Sequence, residues 1–168
     1  MSFRASTSRK ARRATRSAAR GATSSSTTTS SSACGQRPGA YLDVLRGYDC
    51  VLTPDFSLYM DMPDAMQEWN RYRSAALGWY WAQNGMTVVP TLSWAQPSSY
   101  RFCFKGIPKH STVGVARDKE AQKVWHDGMR EAMKRLEPSR VLLYGKNIGF
   151  DFGDCEVVEY KAGVFVGR

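Results

Sequence analysis

This sequence predicts an α/β fold: a mainly parallel sheet of four to five strands with flanking helices, preceded by a disordered basic tail. Three observations carry that expectation. Continuously apolar runs at 51–53 (VLT), 87–89 (TVV) and 141–143 (VLL) read as strands covered on both faces. Helical patterns alternate with them, and the order strand, helix, strand, loop, strand, helix, strand becomes a parallel sheet once crossovers are right-handed. The excess positive charge lies almost entirely ahead of the first strand. Four or five strands are too few to close a barrel, so an open sandwich or a partial barrel is expected.

The 168 residues suffice for one domain, placed at 40–168 behind a tail at 1–39. The formal charge is +9, yet residues 1–40 hold eight of the 24 Lys and Arg and no acid. The other 16 face 15 acidic residues, so 41–168 carries about +1. Overall basicity therefore does not make the folded part a nucleic-acid surface. The tail is rich in Ser, Thr, Ala and Arg, with Phe3 its one aromatic, and has too little apolar surface to offset its ordering entropy. Its Arg9, Lys10, Arg12, Arg13, Arg16 and Arg20 would suit a non-specific tether to nucleic acid. An organelle transit segment or an idle extension fits the same composition.

Cys34, Cys50, Cys103 and Cys155 are scattered, and His110 and His126 have no ligand-type neighbour at metal spacing, so no metal is assigned. Cys50 and Cys155, beside apolar strand residues, read as small reduced hydrophobes. No apolar run nears the ~18 residues of a membrane span. A cytoplasmic setting without a membrane partner is expected.

In chain order, Pro38-Gly39 marks the boundary, and Tyr41, Leu42 and Leu45 give a short helix ending at Gly47. Cys50 to Thr53 is the first strand, stopped by Pro54, and Asp55, Ser57 and Tyr59 follow in a polar turn. A helix is predicted from Asp61–Pro63 to Asn84, closed by Gly85, because proline suits the first helical position and glycine the one past the end. Its Met66, Trp69, Tyr72, Ala76, Trp79 and Gln83 share one stripe, widened by Leu77, Tyr80 and Trp81. That aromatic area is expected to face the core, with Arg71 and Arg73 on solvent.

Met86 to Leu92 is the second strand, and a polar-aromatic loop follows over 93–99. Phe102 and Phe104 alternate with Arg101, Cys103 and Lys105, as a short strand would. Ser111 to Ala116 is the third main strand. Asp118 is the expected N-cap of a helix over 119–136, with Val124, Trp125, Met129, Ala132 and Leu136 on one face and Pro138 beyond its end. Arg140 to Gly145 and Cys155 to Tyr160 are the last strands, joined by an irregular loop.

The carboxyl ends of parallel strands share one edge, where crevices bind ligands. That edge should receive Asp55, Ser57 and Tyr59, then Thr91, Ser93 and Trp94, then Arg117, and finally Tyr144 and Lys146. Asp55 is the candidate catalytic acid or base. Ser57, Tyr59, Ser93, Trp94, Arg117 and Lys146 are candidate ligand contacts for an anionic or polyol molecule. Turn and capping duty accounts for Asp55 and Ser57 equally well. No GxSxG elbow and no GxGxxG or GxxxxGK[ST] loop occurs, so no cofactor is assigned. His110 belongs at the opposite edge, and His126 on the solvated side of a helix.

Several ordered blocks carry a resemblance: TPDFSLYMDMP (53–63), QEWNRYRSAALGWYWAQNG (67–85), VVPTLSW (88–94), FCFKGIPKHSTVGV (102–115), GMREAMKRLEP (128–138) and LLYG (142–145). Over about residues 41–150 the chain resembles a bacterial and phage family, domain of unknown function 4417. The resemblance implies a setting of phages and mobile elements and no established reaction. It also implies a further strand ending in acidic residues ahead of 40–47, where this chain carries its tail.

Whether the chain is an enzyme is left open by these residues. One reading is an enzyme-like fold that binds a small polar or nucleic-acid-derived ligand at the strand ends. The alternative is a non-catalytic accessory that holds nucleic acid through its Arg-rich tail, and a third is pairing with another protein along an unprotected sheet edge.

Overall fold

The computed structural model describes residues 36–117 and 121–160; the basic side chains at 9–20, Cys34 and the N-cap expected at Asp118 lie outside them. A 3-10 turn at Pro38–Tyr41 runs into α1 (Leu42–Leu45), two residues ahead of the expected boundary. β1 (Val51–Leu52) leads through the turn at 53–63 into α2 (Asp64–Gln83). β2 (Val88–Val89) and β3 (Thr91–Leu92) are one run of chain interrupted at Pro90, which has no N–H for a ladder. After a 3-10 turn at Pro97–Ser99 come α3 (Tyr100–Cys103), β4 (Thr112–Ala116), α4 (Gln122–Leu136), β5 (Arg140–Tyr144) and β6 (Glu156–Tyr160).

Every strand pairing is parallel among the described residues. β1 pairs with β2, and β3, β4, β5 and β6 follow one another in a four-stranded sheet. The two ladders join at Pro90. Thr53 donates its N–H to Val89 O, Thr91 donates its N–H to Thr53 Oγ1 and its hydroxyl to Thr53 O, and Gly114 donates to Pro90 O. Each strand lies beside its neighbour in sequence, which is the winding of a barrel segment rather than of a doubly wound sheet.

Residue parity shows what covers each face. Val88 packs with Leu77 and Trp81 of α2, and Leu92 with Trp125 and Met129 of α4. Val88 and Leu92 are four residues apart in extended chain, so both long helices cover the same face. The other face gathers Cys50, Leu52, Val89, Leu142, Val158 and Tyr160, with Leu52 lying over Gly114 across the intervening strand.

α2 turns the main stripe of the sequence expectation away from the core and buries only Leu77 and Trp81 of the residues expected there. Gln67, Ser74, Leu77, Gly78 and Trp81 face the core, while Met66, Trp69, Tyr72 and Trp79 are more than half exposed. The reason lies in the fit to β1. A Cβ at Gly78 would stand 2.6 Å from Thr53 Cγ2, so only the small-residue side of the helix can lie this close to the strand. Nor are Arg71 and Arg73 solvated. Arg71 donates Nε to Cys103 O at 2.8 Å and Nη2 to Lys105 O at 2.9 Å, and the Arg73 guanidinium lies 4.0 Å over the Phe56 ring.

Two further expectations change. The segment around Phe102 is the helix α3, not a strand. Phe102, Cys103 and Phe104 are all buried, and a strand would have sent consecutive residues to opposite faces. Burial pushes the Cys103 thiol up to about 11, so it stays protonated and inert. Pro63 occupies the N-cap of α2 rather than its first turn, which Asp64 leads. α4 ends where Glu137 adopts φ 46°, ahead of Pro138.

Candidate functional site

Three strand ends and one helix start enclose a pocket of about 370 Å³. Asp55, Ser57, Leu58 and Tyr59 reach it from the turn after β1, and Leu92, Ser93 and Trp94 from the end of β3. Val115, Ala116 and Arg117 come from β4, and Ala121, Val124 and Trp125 from the start of α4. Asp55, Ser57, Tyr59, Ser93, Trp94 and Arg117, scattered over more than sixty positions of sequence, are thus brought together. Lys146 is not. Gly145, at φ 119°, donates its N–H to Tyr160 O and carries the chain toward β6, so that only the Lys146 carbonyl touches the site, as acceptor from Arg117 Nη1 at 3.2 Å.

The electrostatics centre on Asp55. Burial raises its pKa, and a hydrogen bond with Ser93 offsets part of that rise. A carboxyl group whose pKa is raised by burial, beside an open pocket, is the kind of group general acid–base chemistry uses. Arg117, half-buried across the pocket, supplies the cation.

The aromatic wall is fixed from behind. Trp94 donates its indole N–H to Val124 O at 3.1 Å, and its ring sits between Phe104 and Trp125 at centroid distances of 6.2 and 6.3 Å. Trp125 donates Nε1 to Ala116 O at 2.9 Å and meets Phe150 edge-on at 5.7 Å. His126 is half-buried rather than solvated, its ring edge-on to Trp125 and Phe150. His110 is exposed at the opposite edge beside Glu137 O, as expected.

The turn carrying Asp55 and Ser57 is held by residues the sequence reading passed over. Gln67, fully buried, donates Nε2 to Met62 O at 2.8 Å and Tyr59 O at 3.2 Å, and Asn70 donates Nδ2 to Ser57 O at 2.8 Å. A buried amide is invisible in composition, since a Gln among aromatics looks like a solvent position. Replacing it strands two carbonyls. Gln67→Ala is expected to cost about 1–3 kcal/mol in urea melts, with faster hydrogen exchange confined to the turn.

A second cavity, about 460 Å³, opens at the amino ends of the strands among Asp49, Cys50, Val89, Pro108, Thr112, Arg140 and Leu142. Its Arg140 is already committed to Glu156 at 2.7 Å, and the walls are mostly apolar, so no comparable set of polar groups converges there. Among the described residues no group of three or more His, Cys, Asp or Glu is placed to hold a metal ion, and no helix is long and apolar enough to cross a membrane.

Comparison with known proteins adds kinship to this geometry. The Gene 1 protein of Mycobacterium phage L5 is 43% identical over 129 residues, which cover 73% of this chain and 56% of that protein. The Gene 1 protein of Mycobacterium phage D29 is 40% identical over 114 residues, 65% of this chain and 42% of that protein. The chain spans about half the length of these curated relatives. No solved structure gives a significant match. A family model described as "Domain of unknown function (DUF4417)" matches residues 29–161, which include every strand and helix described above and all the pocket residues. The chain therefore belongs to the DUF4417 family, a domain of unknown function with relatives among mycobacteriophage proteins.

Proposed function

We propose that this chain binds a small polar molecule, bearing a phosphate or a polyol and including nucleic-acid-derived compounds, in the pocket at the carboxyl ends of its strands. The observation that carries the reading is the convergence of Asp55, Arg117 and Trp94 on one 370 Å³ space. Arg117 and the amino end of α4, entered at Ala121, favour an anionic group. Trp94 offers a flat apolar wall for a base or a sugar face. Asp55, whose pKa burial raises, is the group able to give or take a proton from the ligand. A volume of this size lies at the small end of ligand sites, which suits a single nucleoside or sugar phosphate.

Titration of the full chain with nucleoside monophosphates and sugar phosphates by calorimetry tests the reading. Binding is expected to weaken at least ~10-fold in Asp55→Asn and in Arg117→Ala, both of which should stay folded by circular dichroism. Binding by neither class of compound, or binding indifferent to both substitutions, would overturn it.

Asp55 also predicts a pH dependence with a definite sign. Its folded pKa lies above its unfolded one, so the folded state holds the proton more tightly. Its contribution to stability is therefore complete below the ordinary carboxylate range and is lost as pH rises through the folded pKa. Asp55→Asn should remove that loss. Relative to the parent, its melting temperature is expected to rise at pH 7 and to show no such gain at pH 3.

A further inference from the structure

The solvent face of α2 carries an ordered seam. Ala65, Trp69, Tyr72, Ala76, Trp79 and Gln83 recur at spacings of four, three, four, three and four, the period of a helix-packing stripe, and none is charged. They lie opposite the residues that α2 turns to the core. Trp69, Tyr72 and Trp79 are 56%, 62% and 66% exposed, and Trp69 and Tyr72 stack at 5.5 Å. A surface helix ordinarily puts charged and polar side chains there.

We propose that two copies of this chain pair through α2, antiparallel, about a two-fold axis level with position 74. The seam is self-complementary in that register. Trp69 meets Trp79 of the second copy, Tyr72 meets Ala76, and Ala65 meets Gln83, so each position of the stripe finds its partner in the same stripe. Tyr72 sitting over Ala76 alternates large with small, which is what lets two helices approach. A parallel pairing would instead set Ala76 on Ala76 between two ring layers and leave a void.

On the flanks, a two-fold axis keeps each side of the seam against the same side of the second copy, so Glu68 lies beside Ala82 and Arg73 lies across the axis from its own counterpart. Glu68 is neutralised within its own chain by Arg101 at 2.7 Å, and Arg73 is drawn over Phe56. Three rings and Met66, each about three-fifths exposed, offer roughly 500 Å² per copy. A pair would bury on the order of 1,000 Å², the size at which a specific interface holds and near the weak end of the range. The dimer is accordingly expected to dissociate on dilution.

Sedimentation equilibrium of the full chain across a hundredfold concentration range reads the proposal directly. The parent is expected to pass from monomer to dimer. Ala76→Glu and Tyr72→Lys should each shift the midpoint upward at least ~10-fold with unchanged circular dichroism and melting temperature. The double variant should recover the dimer, because each new acid then faces a new base across the axis. A strict monomer overturns the proposal and leaves the stripe to a different partner. A dimer indifferent to both single variants also overturns it by placing the contact elsewhere, and failure of the double variant to recover rejects the antiparallel register.

Discussion

Trp125→Ala is expected to lower stability by about 3–5 kcal/mol, the largest effect of any single substitution around the site. The side chain is 3% exposed and belongs to two structures at once. Its ring fills the space between α4 and the sheet beside Met129, Val113 and Leu143, and it also backs Trp94 in the pocket wall. Its N–H satisfies Ala116 O, the last carbonyl of β4 before Arg117. Truncation therefore leaves a cavity, an unpaired carbonyl and an unsupported Trp94 together. Domains of this kind have about 5–15 kcal/mol to lose, so the variant should lie near its unfolding threshold at 37 °C. Trp125→Phe is the graded control. It keeps most of the packing and gives up the hydrogen bond and part of the ring volume, for at least about 1 kcal/mol, or roughly 2–4 °C in melting temperature.

Gly128→Ala is the second, and here two effects of opposite sign compete. In an exposed helix the change would stabilise by about 1 kcal/mol, because alanine has the higher helix propensity. At Gly128 the new Cβ would overlap Nε1, Cε2 and Cδ1 of the Trp94 indole. That ring cannot slide away, being held by Phe104, by Trp125 and by its bond to Val124 O. Overpacking of such a site costs about 1–3 kcal/mol, so steric cost wins and the protein should melt lower. The same displacement moves the pocket wall. Nucleoside monophosphate binding is expected to fall with it, and tryptophan fluorescence to shift to the red as the indole meets water. An unchanged spectrum with a raised melting temperature would show that α4 yields instead of Trp94.

The sequence determined the order of the main strands and the two long helices because the strands are short apolar runs, with Pro54 and Gly145 closing two of them, and each such signal is local. The break at Pro90 and the helix at Tyr100–Cys103 were not legible in it. The sequence also placed α4, where Trp125, Met129, Ala132 and Leu136 on one face leave charged residues on the other. Six of the seven candidate residues line one pocket for a simple reason: parallel strands deliver their carboxyl ends to one edge, so a polar residue just past an apolar run lands there. Lys146 was lost from that set through the left-handed backbone at Gly145, which aims the chain away from the edge.

What only the tertiary structure decided is the orientation of α2. That helix interleaves apolar and polar residues on every side, so periodicity singles out no one face and aromatic area favours the wrong one. The choice fell to fit. Gly78 allows backbone-close contact with Thr53, Gln67 closes the turn that bears Asp55, and Trp81 alone of the three tryptophans is buried while Trp69 and Trp79 are left outside. Burial of area is a sum over residues and can be guessed from composition. Steric complementarity between a helix and one particular strand exists only once both are in place.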